Sequence, residues 1–181
     1  MNRHRNTATI LSVLCMGLGQ LYNRQIMKGL LLVLINAAAL SYFIPNLGQA
    51  LWGIITLGEK TQGFEKINGL MQRVEGDHSI YLLIGGLITI IALILYISLY
   101  VVNVRDAHRT GSQRDEGKKA ASFSQTWNYL KDKKFPILLL ILPVSGVLFL
   151  TIMPIVFMIL LAFTNYSSPD NIPPAALVDW V

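Results

Sequence analysis

The sequence predicts an all-α, polytopic transmembrane protein with about three spans and a short N-terminal helix that is interfacial or re-entrant. Three observations predict it. Of 181 residues, 53% are hydrophobic and only 14% charged, whereas an ordinary soluble domain carries roughly 25% charged residues. The apolar residues fall in long blocks rather than scattered positions. The blocks approach or exceed the roughly 20 residues that a helix needs to cross a hydrocarbon core.

The first apolar stretch, residues 8–21, contains Gly17, Gly19 and Gln20 and is short for a span. A cleaved signal peptide is a rival reading, because Arg3 and Arg5 precede it. Arg24, Lys28 and a second apolar block follow directly, without a good cleavage site. The favoured reading is a short helix at or dipping into the cytoplasmic face, turning at Tyr22, Asn23 and Arg24. Cys15 follows Leu14 rather than the small residue a lipoprotein signal wants, and a single cysteine makes no internal disulfide. The first span is read over residues 29–44, with Pro45 and Asn46 interrupting it before apolar residues resume through Leu57. The second, residues 80–102, has no charge between His78 and Arg105. The third, residues 136–163, is longer than the core is thick and must tilt or project. Pro143 and Pro154 lie inside it and should kink it, since each removes a backbone donor.

Charge sets the threading. The net charge is +5, but no nucleic-acid-reading motif surrounds the basic residues. Instead, residues 104–134 hold eight basic residues (Arg105, Arg109, Arg114, Lys118, Lys119, Lys131, Lys133, Lys134) against four acids. Residues 45–79 hold Lys60, Lys66 and Arg73 against four acids, and no lysine or arginine follows Phe163. Basic loops stay in the cytoplasm, so 104–134 reads as inside, 45–79 and 164–181 as outside, and the N-terminus as inside. Within the inner loop, Phe123, Trp127 and Leu130 recur on one helical face, followed by Lys131, Lys133 and Lys134. This predicts an amphipathic helix lying along the inner surface, with a solvated basic linker as the alternative.

Five segments follow: a hairpin at 1–28, a two-span peripheral region at 29–103, a basic loop at 104–134, a core span at 135–164, and the start of an outer loop at 165–181. No enzymatic chemistry is visible. His4, His78 and His108 are scattered, and no His/Cys/Asp/Glu group has metal-ligand spacing. Gly17-Leu18-Gly19 lacks the preceding strand and the later Gly-Lys of a phosphate-binding loop. These glycines, and Gly85-Gly86, read as close-packing or bending positions. Asn165-Tyr166-Ser167 matches a glycosylation sequon, a pattern common by chance. Asn36 is the one strongly polar side chain well inside a span, and it is expected to hydrogen-bond a neighbouring helix.

Residues 154–174, PIVFMILLAFTNYSSPDNIPP, resemble the first core helix of the larger permease subunit of maltose/maltodextrin-type ABC importers, where a Pro-containing span ends in an aromatic-Thr-Asn-Tyr run before a polar outer loop. Pro154, Phe163, Thr164, Asn165, Tyr166 and Ser167 carry the match, flanked by Ala162 and Ser168. Pro143 fits the proline-rich preceding helix. Residues 17–31 look like an N-terminal hairpin of Gram-positive members. The resemblance covers 135–181 well and 80–134 loosely. It implies a non-enzymatic subunit in the plasma membrane of a bacterium. Its partners would be a second permease subunit, a cytoplasmic ATPase dimer, an extracytoplasmic solute-binding protein and the bilayer. The family's Glu-Ala-Ala coupling loop and later sugar-contacting helices have no counterpart here, so the chain reads as the N-terminal part of a longer permease, with its substrate-binding residues and the sugar unassigned. A membrane-anchored assembly or sensor protein without transport activity is the alternative.

Overall fold

The computed structural model describes residues 3–181 apart from 68, 119, 120, 122 and 169. Helices α1 (Arg3–Leu14) and α2 (Leu18–Tyr22) are followed by α3 (Ile26–Thr56), a hairpin of β1 (Gly63–Ile67) and β2 (Leu70–Val74), α4 (Ser79–Asp115), α5 (Phe123–Lys133), α6 (Phe135–Val147) and α7 (Met153–Leu161). Three helical stretches are long and apolar enough to cross a membrane: Ile26–Thr56, Ser79–Asp115 and Phe135–Leu161. The expected all-α polytopic class is therefore observed.

The boundaries differ from the expectation in instructive ways. Helix α3 continues through Pro45 instead of ending at residue 44. A proline removes one donor, a cost that membrane helices tolerate when neighbouring groups satisfy the freed carbonyl. Helix α4 has 37 residues, about 55 Å at 1.5 Å per residue, so the first part of the basic 104–134 loop is helical. Nothing breaks it before Gly117, which sits at φ 76° just past the helix end. The third stretch is interrupted by a π-helical segment, Leu148–Ile152, immediately before Pro154. A proline ring clashes with the carbonyl four residues back, and a widened turn there is a recognised source of helix kinks. The β-hairpin pairs Gly63 with Val74 and Ile67 with Leu70. Its signal, Asn68-Gly69 between two mixed apolar runs, is a strong short-range hairpin cue that the reading of 45–79 as a plain outer loop passed over.

Two compact units emerge. The first comprises Met1–Phe43 and Leu93–Pro143, the second Ile44–Ala92 and Val144–Val181. In the first unit α1 runs antiparallel to the second half of α4. His4 and Arg5 donate their backbone N–H groups to the Asp115 carboxylate, each at 3.0 Å, and Tyr100 Oη donates to the Val13 carbonyl at 2.9 Å. Asp115 thus caps the first turn of α1, meeting donors that have no intrahelical partner. Asn36 does contact a neighbouring helix: Tyr96 Oη donates to its Oδ1 at 2.7 Å, and its Nδ2 faces Cys15 Sγ at 3.5 Å. In the second unit Leu57, Leu83 and Val178 form a buried cluster packed by Ile54, Phe157, Leu160 and Tyr166.

Candidate functional site: a helix-end clasp and a polar cluster

The motif residues at the end of the third span are brought together by the chain folding back on itself. Thr164 Oγ1 donates to the Leu161 carbonyl at 2.7 Å, finishing the helix, and accepts from the Tyr166 N–H at 3.3 Å. The Asn165 N–H donates to the Asp179 carbonyl at 3.0 Å, and the Asp179 N–H returns to Asn165 Oδ1 at 2.8 Å. Asn171 Nδ2 donates to the Asn165 carbonyl at 3.2 Å. The Val181 N–H reaches the Phe163 carbonyl at 2.9 Å, and the Asn171 N–H the Ser167 carbonyl at 2.7 Å. Tyr166 packs on the Leu57/Leu83/Val178 cluster. Phe163 stays exposed, and Pro154 lies two helical turns back, at the start of α7, outside this arrangement.

The same segment clasps the ends of the other two spans. Trp180 Nε1 donates to the Ile54 and Ile55 carbonyls at 3.0 and 3.1 Å. These belong to the last turn of α3, whose carbonyls lack intrahelical donors. The Val178 N–H donates to Ser79 Oγ, at the start of α4, at 3.2 Å. Residues 178–181 thus tie the motif at the end of the third span to the ends of the other two. Asn165→Ala removes the acceptor of the Asp179 N–H, an exposed hydrogen bond, and should cost about 0.5–1.5 kcal/mol, the net worth of a typical intramolecular hydrogen bond. Hydrogen exchange at the Asp179 amide should quicken accordingly, and an unchanged rate would contradict the clasp.

Beside it, Asp77 receives the Glu59 and Lys60 N–H groups at 2.9 and 3.0 Å. Those two bonds, aided by the Lys60 charge, hold its carboxyl below the ordinary value of 3.8. A depressed folded-state pKa contributes stability above the unfolded pKa, and that stability is lost as pH falls through the folded value. Exchange at the Glu59 and Lys60 amides, corrected for intrinsic pH dependence, should therefore be slow at neutral pH and accelerate below about pH 4. Asp77→Asn should abolish that acid-induced step.

In the first unit a polar cluster joins the N-terminal hairpin to α4. Gln20 Nε2 donates to the Asn103 carbonyl at 3.1 Å and faces Asp106 Oδ2 at 3.4 Å. Lys28 Nζ pairs with the same carboxylate oxygen at 2.7 Å. Asn23 Nδ2 donates to the Ala107 carbonyl at 3.1 Å, and Arg114 Nη1 to the Tyr22 carbonyl at 2.7 Å. The turn expected at Tyr22, Asn23 and Arg24 is present, with Arg24 at φ 62°. Gly17 supplies a sharper bend at φ 97°, and Gly19 lies where a Cβ would strike Ser12, the Ala8 carbonyl and Ala107. Of the pair in the second span, Gly86 abuts Ile54 while Gly85 faces open space.

Of the expected interfacial residues, Phe123, Trp127 and Leu130 all fall on α5. The side chains of Phe123 and Leu130 lie outside the described set, as does Lys119 of the inner loop. Trp127 is 43% exposed, with Lys131 Nζ 5.3 Å from its ring centroid. Among the described residues no His/Cys/Asp/Glu group is arranged to hold a metal ion.

The long apolar helices define the class: a multi-pass helical membrane protein. Sequence comparison narrows it. The chain is 36% identical over 184 residues to the galactooligosaccharides transport system permease protein GanP of Bacillus subtilis, covering 99% of this chain and 39% of the relative. It is 30% identical over 175 residues to the maltodextrin transport system permease protein MalC of Streptococcus pneumoniae (96% and 37%). It is also 30% identical over 190 residues to the maltodextrin transport system permease protein MdxF of Bacillus subtilis (100% and 40%). The chain is similar to sugar transport permeases over nearly its whole length, and the resemblance carried by residues 154–174 is borne out. It spans about two fifths of the length of these relatives. No profile of a known family matches the chain, and no solved structure does.

Proposed function

We propose that this chain contributes to the membrane-embedded permease of an ATP-driven bacterial importer of maltodextrin, galacto-oligosaccharide or a related oligosaccharide. The observation that carries the proposal is similarity to sugar permeases across nearly the whole chain. In this reading the protein sits in the plasma membrane with its N-terminus inside. A second permease subunit completes the pathway, a cytoplasmic ATPase dimer supplies the energy, and an extracytoplasmic binding protein delivers the sugar. ATP binding closes the ATPase dimer, and the permease helices rock about a central site, exposing it alternately to each side.

The geometry supports separate roles for the parts. The third span leaves Ile141, Leu142 and Leu150 at 59%, 80% and 80% exposure, so its apolar surface is available to lipid and to further helices. The clasp fixes that span's outer end to the first two. The N-terminal hairpin braces the inner end of α4. ATP hydrolysis, on this reading, occurs on the partner.

The test is to purify the full-length permease from its native membrane. Co-purification of an ATPase and a second permease, with ATP hydrolysis stimulated by oligosaccharide and binding protein, is the expected result. Recovery without either partner would remove the transport reading. Threading is tested separately: a cysteine at Lys118 should be labelled only after the cells are opened, and labelling of intact cells would overturn it.

A further inference from the structure

A cleft of about 350 Å³ opens beside the polar cluster, lined by Gln25, Lys28, Asp106, Arg109, Gln113 and Tyr129 among others. Its walls come from the start of α3, the second half of α4 and helix α5. Three features of this cleft ask for a ligand of particular chemistry. Asp106 is already neutralised by Lys28 at 2.7 Å, so the local balance is set by Arg109. That guanidinium is exposed and makes no hydrogen bond or ion pair among the described residues. The third feature is Gln25. It is 7% exposed; its Nε2 donates to the Ala121 carbonyl at 3.0 Å, yet its Oε1 is buried without a partner. A buried acceptor left unmade is costly and calls for a donor.

We infer that this cleft holds the headgroup of an anionic phospholipid that carries hydroxyl groups, of the phosphatidylglycerol class, in the inner leaflet. The phosphodiester oxygens meet Arg109, and a headgroup hydroxyl donates to Gln25 Oε1. Inorganic phosphate also meets an arginine and carries a P–OH for Gln25; the position of the cleft among membrane helices, beside Trp127, is what favours the lipid over the free ion. The volume is roughly ten times the 30 Å³ share of one liquid water, enough for a headgroup. Basic pockets between membrane helices on the inner side are established headgroup sites. Trp127 with Lys131 over its ring, on the neighbouring helix, has the amphipathic character that residues take at headgroup depth. The inference rests on the inner placement of residues 104–134, which labelling at Lys118 tests independently of any lipid measurement.

The experiment uses the full-length permease in nanodiscs of phosphatidylcholine and phosphatidylglycerol, counting lipids retained on detergent extraction by native mass spectrometry. Arg109→Gln should lower phosphatidylglycerol retention about five-fold, the effect of one cationic contact near a membrane surface. Arg109→Lys should restore most of it. Gln25→Leu should weaken phosphatidylglycerol but leave phosphatidylmethanol, a phosphodiester anion with no headgroup hydroxyl, unchanged. Lys133→Gln alters the same charge outside the cleft and should have no effect. Equal losses in the Arg109→Gln and Lys133→Gln proteins would overturn the site in favour of diffuse surface attraction. Displacement of the lipid by inorganic phosphate would overturn its assignment to a lipid.

Discussion

Gly19→Val should open the N-terminal hairpin, forcing α2 away from α1 and from the second span. A Cβ at this position meets the Ser12 hydroxyl and the Ala8 carbonyl, with the Ala107 methyl 3.0 Å away. One of those neighbours is backbone and cannot rotate aside. Overpacking a close contact costs about 1–3 kcal/mol when flexible side chains can yield, so a fixed carbonyl places this substitution at or above the upper figure. The consequences spread, because Gln20 beside it carries the hydrogen bonds to Asn103 and Asp106. Arg24 is already exposed, but opening of the hairpin frees the backbone held around it, so tryptic cleavage there should rise by one to two orders of magnitude, as a shift of about 1.4 kcal/mol per decade requires. Gly85→Ala is the matched control. No atom lies within 4 Å of a Cβ built there, and alanine favours a helix interior by about 0.5–1 kcal/mol over glycine. Equal cleavage in the two variants would show that the hairpin is not held by this contact.

The contrast between Gly19 and Gly85 illustrates what was legible in the sequence. Both sit in apolar helices and both read as packing positions; which one is crowded depends on a partner far along the chain. The spans were legible because uncharged blocks of this length have no low-cost place in water, a property each block carries by itself. Asn36 was legible for a similar reason, since a polar amide in a span must find a partner. The polar cluster was not. Gln20, Asn23 and Lys28 lie some 80 positions from Asn103, Ala107 and Asp106, and no local pattern announces such a pairing. A partial signal existed in Asn103, Ala107 and Thr110, which recur at helical spacing and are all buried. It was masked by the basic residues between them, which made 104–134 read as a loop. The motif at residues 163–167 was recognised by resemblance, but its physical role was not. Its hydrogen bonds to residues 179–181 are backbone bonds in the main, and nearly any side chains could make those.

That role can be measured through Leu83. Leu83 is 1% exposed and forms the buried cluster with Leu57 and Val178 on which Tyr166 packs. Leu83→Ala removes most of a buried side chain, and such truncations cost about 2–5 kcal/mol, depending on how far the site collapses. Collapse is hindered here. Leu57 sits at φ 55°, a left-handed conformation that costs a non-glycine residue about 1–2 kcal/mol, and it holds that conformation while packed in the cluster. Emptying the space beside it removes the contacts that offset the strain. The clasp should then open as a unit: exchange at the Asn165, Val178 and Asp179 amides should accelerate together by about 30-fold or more, the factor matching 2 kcal/mol. Leu150→Ala trims a residue that is 80% exposed and should leave those amides unchanged. The ordering of effects is the sharper test. Leu83→Ala should exceed Asn165→Ala, because the former removes the apolar footing of the segment and the latter one hydrogen bond within it. If Asn165→Ala opened the segment further than Leu83→Ala, the clasp would be held by its hydrogen bonds, and the buried cluster beneath would be incidental to the end of the third span.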